Sequence, residues 1–383
     1  MDVQPNPSKE FALSRSERDS AACAVGGILN EQGRTFDGSR ILRMMANMHD
    51  RSNGLGGGFA AYGIYPEHKD LYAFHVMLDN AAAREAFEEF LRRYYEIETE
   101  EVIPTAPLRE IRNRPILRRY FVSLRQRVLG EHYDLTEQDL VVRHVMQVNG
   151  NIKGAVVFSS GKNMGIFKGV GYPEDIGRFF RIEEYEGYLW ISHGRFPTNT
   201  TGWWGGAHPF GLLDFAVVHN GEISSYGINR RYLANFGYHC TMHTDTEVVT
   251  YLFDMLLRKH GLGIEEACIA LAPPFWDDIE RMEPQKRELV KALRITYAGA
   301  LLNGPFGVIL GHTRGMIGFN DRIKLRPMYA ARRGDEVFLA SEEAAIREIS
   351  PQLDSVWQAD GGKPVICELK VPLAAPEKEP ARA

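Results

Sequence analysis

Short apolar runs bounded by glycine-rich or polar turns constrain the fold of this chain more than any other feature. The first run, residues 23–29, is typical of a buried strand, and residues 38–50 carry apolar side chains at helical spacing. Strands are also predicted at 59–65 and 71–77, after a glycine-dense segment, 53–58, that predicts a loop. This mixture of short strands and amphipathic helices predicts an α+β fold. Further strands are predicted at 155–158, 164–169 and 189–192, and further helices at 246–260, 264–271 and 285–295.

The segment between residues 79 and 150 differs in character from its surroundings. A helical pattern at 81–94 is followed by an acidic extended stretch at 96–103 and a basic stretch at 109–119. A second helix is predicted at 135–148, with Thr136 and Asp139 suggesting its start. The sequence therefore predicts one large domain, residues 23–370, that carries a small α+β insertion at about 79–150.

The ends of the chain and its charge limit the class of protein. Residues 1–22 are polar and lack the apolar core of a secretory signal, so they are interpreted as a leader. Residues 371–383 are rich in Ala, Pro and charge, which predicts a disordered tail. No run of about 18 apolar residues is present, and Lys and Arg are spread along a chain of net charge −5. We expect a cytoplasmic protein that binds neither membrane nor nucleic acid.

The four cysteines, Cys23, Cys240, Cys268 and Cys367, lie far apart and form no C-x-x-C pair. A zinc ribbon or an iron–sulfur cluster built by this chain is therefore not expected. His239-Cys240-x-x-His243 offers three metal ligands at most, and a fourth is not evident. Free thiols are expected in a reducing compartment, which leaves each cysteine as a candidate nucleophile or as a packing residue.

Several polar segments follow one another in a fixed order and give Cys23 its context. They are residues 192–200 (SHGRFPTNT), 207–210 (AHPF), 217–223 (VVHNGEI), 244–247 (TDTE), 321–328 (DRIKLRPM) and 339–342 (LASE). Each segment has an ordinary structural interpretation when taken alone. Arg195 could form an ion pair, Asp245 could cap a helix, and Asn220-Gly221 could form a hairpin turn. The order of the whole set is what favours a functional site.

This ordered set resembles the class II glutamine amidotransferases, a branch of the N-terminal-nucleophile hydrolases, and is most similar to the glutamate synthase branch. The resemblance covers residues 23–350 apart from the segment near 79–150. It implies a four-layer αββα sandwich in which two sheets pack face to face. Residue by residue, Cys23 matches the nucleophile, Arg195 the ligand of the glutamine carboxylate, Thr198 a substrate-loop residue, Asn220 and Gly221 the oxyanion hole, and Asp245 the ligand of the ammonium.

These residue types suit the hydrolysis of a free amino acid amide. An Arg fork binds a carboxylate through two parallel hydrogen bonds, and an Asp carboxylate binds an ammonium. An Asn amide and an unobstructed Gly N–H can stabilise an oxyanion. If the leader is removed, the α-amine of Cys23 becomes available as the base, with a pKa of roughly 7.7–8.0. We therefore expect Cys23 to be the first residue of the active protein.

The sequence departs from the family pattern at two positions and loosely at a third. Ala24 and Lys324 each replace a glycine, and residues 48–58 match a glycine-containing turn of the family only loosely. If the position after the nucleophile requires positive φ, Ala24 would be strained there. His193, His208 and His219 are interpreted as structural residues that form hydrogen bonds to loops around the site. The tract Trp203-Trp204-Gly205-Gly206 is either a lid over the substrate or a packed loop.

The resemblance implies that the chain hydrolyses L-glutamine to glutamate and ammonia through a thioester on Cys23. The chain has neither the length nor the cysteines for flavin and iron–sulfur machinery, so no cofactor is expected in this chain. FMN and an iron–sulfur cluster are instead expected in a partner, a flavin-containing glutamate synthase subunit that receives the ammonia. Two alternatives stay open: a subunit of another ammonia-using synthase or ligase, or a non-catalytic module that binds glutamine.

Overall fold

The computed structural model describes residues 23–196 and 202–371. The predicted leader, Thr198 and the predicted tail beyond Val371 lie outside these residues. The strands are β1 (Ala24–Asn30), β2 (Phe36–Asp37), β3 (Gly57–Tyr62), β4 (Tyr72–Leu78), β5 (Tyr95–Val102), β6 (Ile116–Leu124), β7 (Ala155–Ser159), β8 (Met164–Gly169), β9 (Glu186–Gly187), β10 (Leu189–Gly194), β11 (Phe210–Leu212), β12 (Phe215–Gly221), β13 (Phe306–His312), β14 (Gly315–Asn320), β15 (Tyr329–Arg333), β16 (Glu336–Ala340), β17 (Ser355–Gln358) and β18 (Val365–Glu368).

Helices alternate with these strands along the chain, as the sequence pattern predicts. The α-helices are α1 (Ser39–Asn47), α2 (Ala81–Tyr94), α3 (Gln126–Glu131), α4 (Glu137–Asn151), α5 (Pro173–Phe179), α6 (Tyr226–Ala234), α7 (Asp245–Phe253), α8 (Ile264–Leu271), α9 (Trp276–Glu280), α10 (Pro284–Thr296) and α11 (Glu343–Ile349). A π-helical segment, Asp254–Lys259, extends α7, so the predicted helix at 246–260 changes type at its midpoint.

Within the described residues, two antiparallel sheets form the centre of the molecule. The larger has the strand order β17-β15-β16-β1-β10-β3-β8, and the smaller has the order β11-β12-β13-β14-β18. Strands β1 and β10 of the first sheet contact β12 and β13 of the second. Helices α1 and α5 contact the larger sheet, and α7 contacts β11 and β12.

Strand β1 can be buried on both faces because it lacks side chains at its centre. A Cβ on Gly26 would lie 2.7 Å from the sulfur of Met44 in α1, and a Cβ on Gly27 would lie 2.9 Å from the sulfur of Met316 in β14. The two glycines therefore allow a helix and the second sheet to approach the strand closely from opposite sides. Every residue of β1 is buried.

The segment around the predicted insertion forms a sheet of its own, with the strand order β5-β6-β4-β7. Helix α2 has the bounds predicted for it, and α4 begins with a capping box between Thr136 and Asp139, as predicted. The sheet also includes β4 and β7, which lie outside residues 79–150. Because β4 pairs with both β6 and β7, β4 lies inside this sheet and β7 forms one of its edges.

The prediction of a loop throughout residues 53–58 is wrong for its last two positions. Gly57 and Gly58 begin β3, where they pair with β10 and β8. The absence of a side chain at both positions allows close packing. A Cβ on Gly57 would lie 2.9 Å from Pro173, and a Cβ on Gly58 would lie 2.4 Å from the carbonyl oxygen of His208. Glycine density alone does not distinguish this use from a turn.

Candidate active site

Pairing between β1 and β10 brings the predicted nucleophile beside the predicted carboxylate ligand. Ala24 is opposite Gly194 in the antiparallel register, so Cys23 and Arg195 occupy neighbouring ends of the two strands. The backbone N–H of Phe196 donates to Cys23 Sγ at 3.4 Å. The sequence separates these residues by more than 170 positions, and the sheet closes that gap.

The charge environment of Cys23 combines opposing influences. Burial raises the pKa of its thiol, while the Phe196 N–H and the Arg195 guanidinium lower it and the carboxylates of Asp245 and Glu222 raise it. The net effect is a raised pKa, so the resting group is a neutral thiol. A neutral thiol needs a base to become a nucleophile.

The backbone of Arg195 is fixed by the loop that precedes β3. Its N–H donates to the Gly56 carbonyl at 2.8 Å, and its carbonyl accepts from the Asn53 N–H at 3.2 Å and from the Ser52 hydroxyl at 3.1 Å. Gly56 has φ +159°, and a Cβ there would lie 3.2 Å from Cδ of Arg195. This loop lies within residues 48–58, the segment that only loosely matches the glycine-containing turn of the family. Gly56 leaves room there for the Arg195 side chain.

Asn220 and Gly221 end β12 instead of forming a hairpin turn. Side chains alternate along a strand, so Asn220 shares a face with Ala216 and Val218, which pack into the core of the larger sheet. Asn220 is fully buried, and within the described ranges its amide nitrogen and oxygen have no hydrogen-bond partner. A buried amide without a partner is costly, which favours a role in binding a ligand.

Gly221 is required by its backbone conformation and by its neighbours. Its φ is +135°, and a Cβ would lie 1.9 Å from the carbonyl oxygen of Pro305. No other residue type fits at this position without a backbone shift. The next residue, Glu222, lies close enough to Cys23 to raise its pKa, so the end of β12 adjoins the nucleophile.

Asp245 is the first residue of α7, and it is not the helix cap. Thr244 takes that role, since its side chain accepts from the N–H of Thr246. The Asp245 carboxylate accepts from the N–H of Ile223 at 2.9 Å and lies 3.5 Å from His219 Nδ1. Burial alone would raise the pKa of Asp245, but His219 and the N–H groups of Ile223 and Thr246 outweigh it and hold the pKa below its usual value. The carboxylate is therefore charged at neutral pH.

Two residues of this site, Glu222 and His219, were not predicted as site residues. Burial raises the pKa of Glu222, with Asp245 adding to the effect, and the two carboxylates act on the charges of Cys23 and Arg195. Both residues stand inside the VVHNGEI segment, so proximity to Asn220 was the available signal. Their roles depend on which strand face each occupies, and the motif does not give that.

The three histidines of these segments, His193, His208 and His219, are buried, and His193 and His219 lie on β10 and β12. His193 Nε2 lies 2.9 Å from the carbonyl oxygen of His219, and the rings of His193 and His208 lie 4.1 Å apart. Burial lowers the pKa of His193 to about 3. A neutral, tightly packed imidazole suits a structural role.

The other candidate motifs have ordinary packing. Cys240, Cys268 and Cys367 are buried in apolar clusters, and burial raises the pKa of each thiol. Trp204 packs against Gly169 and Phe179, so this part of the tryptophan tract is a packed loop. Over the part of the chain that the structure describes, no group of three His, Cys, Asp or Glu side chains could hold a metal.

The two departures from the family pattern differ in their backbone. Ala24 lies in extended β1, so the strain considered for that position does not arise. Lys324 has φ +58°, the left-handed conformation that favours glycine. The second departure therefore places a lysine where the family pattern has the residue best suited to the backbone.

One family model matches most of this chain. The model of the family described as "Glutamine amidotransferases class-II" matches residues 63–363, which is more than half of the chain. The chain belongs to this family. The matched span includes Arg195, Asn220, Gly221 and Asp245, and it begins after Cys23. Family membership supports the N-terminal-nucleophile type indicated by the motifs.

Three individual relatives are similar to this chain over different shares of its length. An uncharacterized protein of Archaeoglobus fulgidus is 50% identical over 357 residues, covering 92% of this chain and 94% of its own. A proposed glutamine amidotransferase of Methanothermobacter thermautotrophicus is 26% identical, covering 85% and 93%. A glutamine–fructose-6-phosphate aminotransferase of Sulfurisphaera tokodaii is 30% identical over 133 residues, covering 34% of this chain and 23% of its own. None of these three names a glutamate synthase.

Across residues 23–196 and 202–371, no helix combines the length and the apolar character needed to cross a bilayer.

Proposed function

We propose that this class II amidotransferase hydrolyses L-glutamine with Cys23 as its nucleophile. The observation that carries the proposal is the convergence of Cys23, Arg195 and Asp245, whose charges act on one another, with Glu222 at the end of the strand that bears the buried amide of Asn220. They come from the ends of β1, β10 and β12 and from the start of α7. This reaction requires a nucleophile, groups that bind the charged ends of the substrate, and donors that stabilise the oxyanion.

The reaction proceeds in two stages. Cys23 Sγ attacks the side-chain amide carbon of glutamine, and its proton passes through the α-amine of Cys23 to the amide nitrogen. The Asn220 amide and the Gly221 N–H stabilise the oxyanion, the carbon–nitrogen bond breaks, and ammonia leaves a γ-glutamyl thioester. Water then attacks the thioester carbon and releases glutamate, returning the proton to sulfur. The α-amine is available only if residues 1–22 have been removed.

Substrate selection rests on the two charged groups of a free amino acid. Arg195 provides a guanidinium for the α-carboxylate and Asp245 a charged carboxylate for the α-ammonium. Thr198 is proposed as a substrate-loop residue on the strength of the motif alone. The low pKa of Asp245 supports its part, because the carboxylate keeps its charge over the whole physiological range.

The ammonia is proposed to pass to a separate synthase subunit, with a flavin- and iron–sulfur-containing glutamate synthase subunit as the first candidate. Support comes from the R-F-x-T-N-T and H-N-G-E-I segments, which are most similar to that branch. The second candidate is another ammonia-using synthase. The partial match to the aminotransferase of Sulfurisphaera tokodaii favours keeping it.

The four-layer αββα assignment and the domain boundaries belong to the same proposal. Contacts of α1 with β1, of β1 with β12, and of β12 with α7 support that order of layers. Residues 23–370 are proposed as the amidotransferase domain, with an insertion at about 79–150 that contributes β5 and β6 to the sheet β5-β6-β4-β7.

Ammonia release from L-glutamine tests the proposed reaction. The wild-type protein is compared with Cys23→Ala and with Cys268→Ala, a buried cysteine in α8. We expect Cys23→Ala to lose activity entirely while melting at the wild-type temperature, and Cys268→Ala to retain activity. Equal activity of Cys23→Ala and wild type would refute the assignment of the nucleophile. Glutamine binding without hydrolysis in the wild type would favour the non-catalytic alternative.

A further inference from the structure

A second cleft, of about 1020 Å³, lies outside the candidate active site. One wall comes from the insertion, where the loop 112–115 and the end of α4 meet β7. The other wall comes from the loops 202–205 and 241–242. Cys23, Arg195, Asn220 and Asp245 do not line it. The reaction proposed above makes no use of this space.

Two buried polar groups belong to residues that line this cleft. The indole N–H of Trp204 and the hydroxyl of Thr241 are both buried and have no hydrogen-bond partner in the described part of the chain. Both residues are held in place by other contacts. The Trp204 ring packs against Gly169, and the Thr241 N–H donates to Glu247 at 2.9 Å. An indole N–H can only donate, so the missing partner of Trp204 is an acceptor.

Cationic side chains stand at the opening of the same cleft. Arg112, Arg114 and Lys153 are exposed there, accompanied by the carboxylates of Asp79 and Glu110. The formal balance of these five groups is three positive against two negative charges. Arginine forks bind carboxylate and phosphate groups through paired hydrogen bonds.

A fourth cation lies in a small chamber whose lining shares Asn149, Val156, Gly205 and Met242 with the cleft. The chamber has a volume of about 10 Å³, enough for a single water molecule. Lys168 lines it and is 1% exposed. Its ammonium donates to the Gly205 carbonyl at 3.0 Å and lies 4.0 Å from the centre of the Phe210 ring. Burial lowers the pKa of Lys168 to about 7, so this side chain is only partly charged at neutral pH.

We infer that this cleft binds a small molecule that carries a carboxylate or phosphate group. The cations at the opening attract the anionic group, and the donors of Trp204 and Thr241 bind acceptor oxygens deeper in the cleft. The inference does not rest on the proposed glutaminase activity, because no group of that reaction takes part.

Isothermal titration calorimetry with inorganic phosphate and with succinate tests this inference, at constant ionic strength and with chloride as the reference anion. Three variants of the full chain are compared. Thr241→Val removes the hydroxyl without changing the side-chain shape, and Arg114→Ala removes one cation at the opening. Lys286→Ala is the matched control, because Lys286 is an exposed cation on α10 that does not line the cleft.

We expect one of the two anions to bind and Thr241→Val and Arg114→Ala each to weaken that binding at least tenfold. Lys286→Ala should bind as the wild type does. Binding of phosphate alone would identify a phosphate ligand, and binding of succinate alone a carboxylate ligand. Absence of binding by both anions, or equal binding by all variants, would overturn the inference. Glutaminase activity does not enter this measurement, so its outcome is independent of the nucleophile assignment.

Discussion

At the scale of single residues, the site is a set of charges held in fixed positions by backbone contacts. Arg195 is fixed through its own N–H and carbonyl, and Asp245 through the N–H of Ile223. Neither depends on the other for its position. Arg195→Lys leaves the backbone bonds of residue 195 in place, and an Asn at position 245 can still accept from the Ile223 N–H, so both substitutions should change substrate binding more than stability.

Arg195→Lys tests the carboxylate clamp. The ammonium keeps the charge but loses the planar fork, at about 1.5–3 kcal/mol per lost charged hydrogen bond. We expect the Michaelis constant for glutamine to rise at least tenfold in a steady-state glutaminase assay. Arg34→Lys, at an exposed ion pair with Asp335, is the matched control and should leave it unchanged. A normal Michaelis constant in Arg195→Lys, together with a lower melting temperature, would mean that the arginine is only structural.

Asp245→Asn tests the ammonium clamp separately. The amide cannot offer a full negative charge, so binding of glutamine should weaken, while an analogue without the α-amine should lose little. Competition between the two compounds in the same assay measures that difference. Equal loss of binding for both compounds would contradict the assigned role of Asp245.

Five residues, Cys23, Arg195, Asn220, Gly221 and Asp245, are predicted for the site because their types match the chemistry in a fixed order, and their roles stay predictions. Glu222 and His219 were missed, because their influence depends on strand faces and through-space distance. Thr198 lies outside the described residues, so its role stays a prediction.

At the scale of elements, the turn after β14 shows how one backbone conformation is supported. The Asp321 carboxylate accepts from the N–H groups of Ile323 at 3.1 Å and Leu325 at 2.9 Å. Lys324 stands between them with φ +58°. A left-handed conformation costs an L-residue roughly 1–2 kcal/mol, which this network must offset.

Lys324→Gly is predicted to stabilise the protein or leave it unchanged. Glycine removes the steric cost of positive φ, although it gains more freedom in the unfolded chain. We expect the melting temperature to rise by about 1–2 °C in a thermal melt. Lys363→Gly is the control: Lys363 is exposed and has no positive φ, so that variant should melt lower than the wild type. A clear loss of stability in Lys324→Gly would show that the lysine side chain contributes more than its backbone costs.

Element boundaries were predicted best where a local signal ends the element. Helix α2 has the bounds that its helical pattern predicts, and α4 starts at the capping box of Thr136 and Asp139, the residues that suggested its start. The start of β3 was missed, because Gly57 and Gly58 are glycines for packing against Pro173 and His208. That reason lies in partners distant along the chain.

At the scale of the whole molecule, buried histidines link stability to pH. Burial lowers the pKa of His75 and His193 to about 3 and that of His144 and His312 to about 4. In the unfolded chain each would titrate near 6.5. Between about pH 4 and 6.5 the unfolded state therefore binds more protons than the folded state, and stability falls as pH falls.

Thermal unfolding between pH 7 and pH 5 should show this loss. Each such histidine contributes up to about 1.4 kcal/mol per pH unit below 6.5. His144→Gln should make the loss shallower, whereas His239→Gln, at an exposed histidine, should leave it unchanged. A melting temperature that stays constant from pH 7 to pH 5 would contradict the neutral state assigned to the buried imidazoles.

The arrangement of the sheets was less accessible from sequence than the elements themselves. Strand order depends on contacts such as that of β1 with β16, which join residues some 300 positions apart. The sheet that contains the insertion also includes β4 and β7, so it extends beyond residues 79–150, the segment whose composition differs from its surroundings. The second cleft arises only where that sheet meets the loops 202–205 and 241–242.

The claim that Cys23 acts as an N-terminal nucleophile is tested most directly by the intact mass of active protein. Glutaminase activity and mass are measured on the same preparation, before and after separation of processed from unprocessed chains. The account predicts that activity follows the species that begins at Cys23, since only there does the α-amine titrate at roughly 7.7–8.0 and serve as the base. Full activity in a species that still carries residues 1–22 would contradict it.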